Sequence, residues 1–126
     1  MTRKYKLTDE AKFIEGRTLY RIEALRDFNY VKKGDKGGWI EKEDNLSHQG
    51  DCWVTGDARV YDSAKVFDDT QVSDEAWVLG NSCVSGNAEV CGDSYISGNA
   101  WVFGNTLVSG YAEVIGDTII TAGTYQ

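Results

Sequence analysis

The 126-residue chain contains no proline, one histidine, one methionine and only three cysteines. Cys52, Cys83 and Cys91 are odd in number and lack metal-type spacing, so we expect reduced thiols and no metal site. No stretch approaches the roughly 18 consecutive apolar residues of a membrane-spanning helix, and no apolar signal core follows the basic start at residues 1–6. These absences favour a soluble cytoplasmic protein that does not contact a membrane.

Basic side chains are scarce in the second part of the chain. Residues 1–49 contain 11 Lys and Arg against 9 Asp and Glu, whereas residues 50–126 contain 2 against 11. This change predicts a boundary near residue 50, between an N-terminal capping segment, 1–49, and a repeat domain, 50–126. Because acidic surfaces repel nucleic acid phosphates, we expect no direct nucleic acid binding.

Glycine, in contrast, is abundant and regularly spaced. From Gly50 the sequence divides into twelve hexads without a gap: GDCWVT, GDARVY, DSAKVF, DDTQVS, DEAWVL, GNSCVS, GNAEVC, GDSYIS, GNAWVF, GNTLVS, GYAEVI and GDTIIT. The fifth position is always Val or Ile, the third is always Ala, Ser, Thr or Cys, and the first is Gly or Asp. Gly and Asp tolerate a positive φ, so each hexad predicts a turn followed by a short strand.

The six-residue period selects one architecture. It drifts around the 3.6-residue turn of a helix, and a glycine in every sixth position would weaken a helix. A sandwich is also disfavoured, because its turn signals are spaced by about 8 to 12 residues. We therefore predict a three-sided solenoid in which three hexads form each 18-residue coil, with Val and Ile inside, giving about four coils.

The hexads resemble the hexapeptide-repeat, left-handed parallel β-helix proteins, and the left hand is implied by that resemblance. The V-x-G-[ND]-[AST]-x register is similar to phage and prophage members of unassigned function. The N-terminal stretches TLYRIEALRDF at 18–28 and KKGDKGGWIEKEDNLS at 32–47 are similar to the first segment of those members. The expected fold is all-β: a left-handed parallel β-helix with a small N-terminal β-rich cap.

Strand-like pieces occupy residues 4–7, 12–15 and 18–28 of the N-terminal segment, with Glu15-Gly16 as a hairpin turn. A helix over residues 18–28 is an alternative, because Thr18 could cap it and Leu19, Ile22 and Leu25 would share one side. In either form, we expect the segment to cover the open end of the first coil.

The resemblance also implies enzyme classes that the residues can be compared with. The γ-type carbonic anhydrases need three zinc-binding histidines, and this chain has only His48. The acyltransferases of this fold typically use a histidine as general base and a loop extruded from a coil, and the twelve hexads contain neither. We therefore expect no catalytic residue and no cofactor.

Outward-facing hexad positions are the remaining candidates for function. Two of the three predicted faces carry aromatic and apolar residues, which are typical of interfaces. The resemblance implies a threefold homotrimer, with a ligand or partner in the grooves between subunits. The candidate binding residues are Arg59, Lys65, Trp77, Tyr95, Trp101 and Phe103.

These observations favour a non-catalytic phage or prophage binding protein. In this hypothesis it inhibits a host defence by sequestering a host protein or a nucleotide-like signal, a step that rests on analogy. One alternative is an acyltransferase-like enzyme whose catalytic groups come from the N-terminal segment, His48 included. The other is a structural module of the virion or of an oligomer.

Overall fold

The computed structural model describes residues 3–126 and consists of short strands joined by tight turns. A 3₁₀ helix covers Glu43–Asn45, and the described residues contain no α-helix. The strands are Tyr5–Ile14 (β1), Arg17–Ala24 (β2), Lys36–Ile40 (β3), Trp53–Val54 (β4), Arg59–Val60 (β5), Lys65–Val66 (β6), Gln71–Val72 (β7), Trp77–Val78 (β8), Cys83–Val84 (β9), Glu89–Val90 (β10), Tyr95–Ile96 (β11), Trp101–Val108 (β12), Glu113–Val114 (β13) and Ile119–Tyr125 (β14).

The hexads stack as parallel strands on three faces. Face 1 contains β4, β7, β10 and the second half of β12. Face 2 contains β3, β5, β8, β11 and β13. Face 3 contains β6, β9 and the first parts of β12 and β14, and the second part of β14 pairs with the second half of β12 on face 1. Hexad residues pair with residues 18 positions later, as Arg59 does with Trp77 and Trp77 with Tyr95, so each coil is three hexads long.

The fifth hexad position forms the core. Its Val and Ile side chains are all buried, from Val54 at 0% to Ile120 at 5% exposure. At the first position the backbone is left-handed: the glycines there have φ between 62° and 73°, and Asp62, Asp68 and Asp74 adopt φ of 59°, 62° and 59°. The turn chemistry predicted for Gly and Asp is therefore what closes each corner.

The parallel ladder begins before the first hexad. Ile40 pairs with Val60 and Leu46 pairs with Val66, and both side chains are fully buried. Ile40 and Leu46 therefore continue the inward columns of faces 2 and 3. They lie 20 residues from their partners, because Ser47–Cys52 adds two residues before the regular repeat. The solenoid therefore has about five turns, and the prediction of about four was too low because it counted only the regular hexads.

The N-terminal segment forms an antiparallel hairpin on the end of face 2. Strands β1 and β2 pair through Tyr5↔Ala24 to Ile14↔Arg17, and β2 pairs with β3. Tyr5 and Ile22 are fully buried in the same core cluster as the Val columns. The hairpin therefore covers the open end of the first coil with apolar side chains.

These observations confirm the predicted all-β parallel β-helix with its β-rich cap. The Glu15-Gly16 turn is also confirmed, with φ of 49° and 80°. The alternative helix over residues 18–28 is wrong, because Arg17–Ala24 is a strand. Ile22 and Ala24 alternate onto the core side, and Leu19 lies on the opposite side in a second buried cluster. Strand β2 pairs with β1 and with β3, which satisfies its backbone groups between strands.

Candidate functional site

A stack of three side chains runs along the outside of face 2. Arg59, Trp77 and Tyr95 occupy the fourth position of hexads in successive coils and are neighbours in the ladder. The Arg59 guanidinium carbon lies 4.8 Å from the centre of the Trp77 ring, and the Trp77 and Tyr95 ring centres are 6.1 Å apart. The repeat thus places a cation and two aromatic rings in one column.

The β1–β2 hairpin covers one end of this column. Leu19 from the hairpin packs with Trp39, Tyr61 and Leu79 in a buried cluster on the outside of face 2. Ile14, near the hairpin turn, packs against the same cluster, as do Trp77 and Tyr95 of the column. The aromatic surface of face 2 is therefore partly an intramolecular contact.

Ion pairs hold the hairpin turn in place. Arg17 bonds Glu41 at 3.1 Å through Nη1 and Asp62 at 2.9 Å through Nη2. The backbone N–H of Asp62 donates to Glu41 Oε1 at 2.9 Å, which closes a small network. Because Asp62 is a corner residue of the solenoid, this network ties the hairpin to the first full coil.

A cleft of about 450 Å³, which we call the face-2 cleft, lies between the hairpin and the coils that carry Arg59, Trp77 and Tyr95. Its size is within the range of small-molecule sites. Its lining combines two basic side chains, two aromatic rings, three carboxylates and one hydroxyl: Lys12, Arg59, Trp77, Tyr95, Asp57, Glu75, Asp93 and Ser94.

The carboxylates of the cleft lie along the corner between faces 1 and 2. The pKa of Glu75 is raised, because its carboxyl shares a hydrogen bond with Asp93 and experiences the negative charge of Asp93 and, more weakly, of Asp57. Arg59 opposes this shift. A carboxyl whose pKa is raised by a neighbouring carboxyl is a stronger base than an ordinary one once it is ionised.

Each cation of the cleft lies over an aromatic ring, and Arg59 also experiences the charge of Glu75. Lys12 Nζ lies 4.5 Å from the centre of the Trp39 ring, and Arg59 lies over Trp77. Among the residues that the structure describes, neither cation forms an ion pair within 4.0 Å. Arg59 Nε is buried without a hydrogen-bond partner. Both charges are therefore available to an anionic ligand.

The six predicted site residues separate into two places. Arg59, Trp77 and Tyr95 meet in the face-2 cleft. Trp101 and Phe103 line a smaller apolar groove of about 260 Å³ on face 3, together with Phe67, Cys83 and Ser85. Lys65 lies on the same face, beside Cys83 in the ladder.

Sequence reasoning did not single out five of the eight residues that line the cleft, among them Lys12, Glu75 and Asp93. Glu75 and Asp93 follow the opening residue of their hexads, where turn-forming roles are expected, and only their 18-residue spacing indicates that they are neighbours. Lys12 comes from outside the repeat. No periodic signal connects it to face 2, because its position depends on how the hairpin folds back.

His48 is fully engaged in holding the N-terminal strand. Its Nδ1 accepts a hydrogen bond from the backbone N–H of Lys4 at 3.1 Å, and its Nε2 bonds Glu43 Oε1 at 2.8 Å. The ring stacks on Tyr5 at 4.2 Å between centres. With both ring nitrogens occupied, His48 has no lone pair free to take a proton from a substrate.

Comparison with known proteins gives one informative similarity. The chain is 40% identical over 60 residues to the protein named uncharacterized acetyltransferase YdcK of Escherichia coli strain K12. The match covers 41% of this chain and 18% of that relative, so the chain spans well under two thirds of the relative's length. No family model matches the chain. In residues 3–126 no helix is long and apolar enough to cross a membrane.

This similarity and the stacked coils together support a hexapeptide-repeat β-helix. They do not support the expected phage counter-defence role. The hypothesis of a non-catalytic binding protein is contradicted, and so is the expectation that the chain is not an enzyme, because the relative is named as an acetyltransferase. That hypothesis rested on the aromatic faces and on the lack of a histidine and an extruded loop in the hexads, and a histidine is only one of the side chains that can move a proton.

Proposed function

We propose that the chain is an acyltransferase-like enzyme of the hexapeptide-repeat class that uses the face-2 cleft. In this proposal the cleft binds a coenzyme A thioester and transfers its acyl group, acetyl in the simplest case, to an amine or hydroxyl acceptor. The name of the similar Escherichia coli protein supports the reaction class. The observation that carries the proposal is the meeting of two cations, two aromatic rings and the neighbouring carboxyls Glu75 and Asp93 in one cleft.

The cations and rings suit the donor. Coenzyme A carries phosphate groups and an adenine ring, and phosphates are bound well by guanidinium and ammonium groups. Trp77 and Tyr95 offer aromatic surfaces on which a base can stack. Arg59 combines both roles, because its guanidinium already lies over the Trp77 ring.

The carboxyl pair suits the proton transfer. When the acceptor N–H or O–H attacks the thioester carbonyl carbon, the new bond forms as the C–S bond breaks, and the acceptor loses a proton. We assign that proton to Glu75, whose raised pKa makes its carboxylate a stronger base than an ordinary glutamate. The sulfur leaves as a thiolate and is protonated from solvent. His48 is not assigned this role, because both its ring nitrogens are engaged.

The proposal includes a homotrimer, which the resemblance to hexapeptide-repeat proteins implies. Face 3 supports it: Phe67, Trp101 and Ile119 remain 37%, 53% and 65% exposed there. A head-to-tail ring brings unlike faces of neighbouring subunits together.

Turnover of acetyl coenzyme A tests the enzyme class. The purified protein is incubated with the donor and, separately, a polyamine, an amino sugar, a hydroxylated sugar and a peptide amine. Acetylated product is detected by mass spectrometry, and released thiol is measured against a protein-only blank. We expect product with at least one acceptor class. Product formation no faster than in the protein-free reaction, for every acceptor, would contradict the proposal.

The base is tested by a matched pair of variants. Replacing Glu75→Gln together with Asp93→Asn keeps the side-chain volumes and removes the proton acceptor, so we expect kcat to fall about 100-fold or more. Glu89→Gln is the control, because Glu89 is an equally exposed glutamate on face 1. Equal rates in the double variant and the control would remove the carboxyl pair from the mechanism.

A further inference from the structure

The face-2 cleft has a wall that does not belong to the repeat. Lys12 lies in β1, opposite Leu19 of β2, and is carried to the cleft by the fold of the hairpin. Arg59 reaches the same cleft from β5 of the solenoid. The two cations therefore approach the cleft from two different structural elements.

The surroundings of Lys12 fix its position without neutralising it. Its ammonium lies 4.5 Å from the centre of the Trp39 ring, and the Arg21 guanidinium lies 4.6 Å from the same ring. Leu19 beneath it is fully buried, and the Arg17 ion pairs hold the turn beyond it. Arg21 is paired with Glu10 at 3.5 Å and does not line the cleft, so Lys12 is the cation that the hairpin presents there.

We infer that the β1–β2 hairpin is part of the acyl-donor site and that Lys12 binds a phosphate group of the donor. This inference rests on the proposed function and extends it to donor specificity. Two cations that reach one cleft from different elements match a ligand with several anionic groups, such as the phosphates of a coenzyme A thioester. The hairpin thereby favours donors that carry the nucleotide over phosphate-free thioesters.

The first test compares two donors, acetyl coenzyme A and S-acetylpantetheine, which lacks the nucleotide and its phosphates. For Lys12→Ala we expect KM for acetyl coenzyme A to rise about tenfold, the range of one charge-assisted hydrogen bond, with kcat little changed. The kinetics with S-acetylpantetheine should not change. Lys12→Arg should restore the lower KM, because the charge returns.

The matched control is Lys6→Ala, because Lys6 lies on the same strand but outside the cleft. We expect this variant to behave as the unmodified protein with both donors. A Lys12→Ala variant that loses activity equally with both donors would show a structural role for Lys12 and overturn the inference. Thermal unfolding of each variant checks that the fold is intact.

The second test examines positioning by the hairpin. Arg17→Gln removes the ion pairs to Glu41 and Asp62 but touches no residue of the cleft lining. Calorimetric titration should show that Arg17→Gln binds coenzyme A more weakly than the unmodified protein does. In Lys12→Ala, the affinity for coenzyme A should depend less on salt concentration than in the unmodified protein. Unchanged binding in both variants would overturn the inference.

The two proposals fail in different ways. If the unmodified protein neither binds coenzyme A nor turns over its thioester, the proposed function is wrong and the inference falls with it. If the unmodified protein does both and Lys12→Ala is indistinguishable from it, the cleft is an acyl-transfer site in which the hairpin takes no part.

Discussion

The Lys4 ammonium donates a 2.6 Å hydrogen bond to the carbonyl oxygen of Cys52 in the buried end of the solenoid. It also lies 3.3 Å from the Gly50 carbonyl oxygen and 3.3 Å from the Cys52 sulfur. Gly50 and Cys52 belong to the first hexad, and on face 1 no strand of residues 3–126 is stacked before β4 of that hexad. Elsewhere in the solenoid such carbonyl oxygens accept from backbone N–H groups of the preceding coil, as Ala76 does from Arg59, and Lys4 takes the place of that donor.

Replacing Lys4→Met should lower the free energy of unfolding by about 1 to 3 kcal/mol, because two carbonyl oxygens lose their donor while the apolar stem is retained. Urea unfolding monitored by circular dichroism measures the change. Lys6→Met is the control, since Lys6 is exposed two residues further along, in β1. Equal effects of the two substitutions would mean that the Lys4 hydrogen bonds contribute nothing net.

Burial lowers the pKa of Lys4, which predicts how this contribution depends on pH. Below the lowered pKa both the folded and the unfolded chain carry the proton. Between that value and the ordinary pKa of about 10.4, the unfolded chain binds the proton more readily, so the stability of the protein should rise with pH. The difference in stability between the unmodified protein and Lys4→Met should therefore grow with pH in this window. A constant difference in urea titrations across it would contradict the prediction.

Most of the solenoid could be predicted because its columns are strictly periodic. Val54, Val60 and Val66 define three faces, and every later hexad repeats their environment. Ile40 and Leu46 belong to the same columns but were not recognised, because the two extra residues in Ser47–Cys52 break the period. A pattern search that permits one such insertion would find them.

The candidate site was less accessible to sequence reasoning. Trp77 and Trp101 occupy the same hexad position and look equivalent in the sequence, but the hairpin packs near Trp77 and leaves Trp101 53% exposed. What distinguishes them is the antiparallel pairing of β2 with β3, a single long-range contact with no periodic signal. The role of Lys12 follows from the same contact.

Close stacking of the corners predicts a severe effect at Gly98. Its φ is 72°, and a Cβ there would lie 2.6 Å from the backbone nitrogen of Gly116. Gly16 has a similar φ of 80° but no atom within 4 Å of an added Cβ. We expect Gly16→Ala to cost about 1 to 2 kcal/mol from backbone strain alone, and Gly98→Ala to cost about 1 to 3 kcal/mol more from the clash. Thermal and urea unfolding of the two variants separate the cost of backbone strain from the cost of the clash. Equal losses in the free energy of unfolding would show that the corners relax to accept the Cβ.

The Glu75–Asp93 pair predicts a pH dependence of the reaction. If the Glu75 carboxylate accepts the proton, kcat rises with pH as Glu75 loses its own proton, and that rise is displaced upward because Asp93 raises the pKa of Glu75. Asp93→Asn removes the neighbouring charge, so the rise should move to lower pH. Profiles of kcat against pH, at saturating donor and acceptor, measure the rise in the unmodified protein and in Asp93→Asn. If kcat rises at the same pH in Asp93→Asn as in the unmodified protein, Glu75 is not the base that sets this rise.

The exposed apolar side chains of face 3 predict the assembly state. Trp101 lies in the apolar groove of that face, so burying it against a second copy would stabilise an assembly, whereas a charge at its position would oppose one. Native mass spectrometry of the unmodified protein should therefore show three chains, and Trp101→Glu should show one. Tyr111→Glu is the control, because Tyr111 is 82% exposed at the corner that begins the Gly110 hexad and lies outside the groove. Single chains in the unmodified protein at micromolar concentration would contradict the trimer. If Tyr111→Glu loses assembly as Trp101→Glu does, the contact between chains is not specific to face 3.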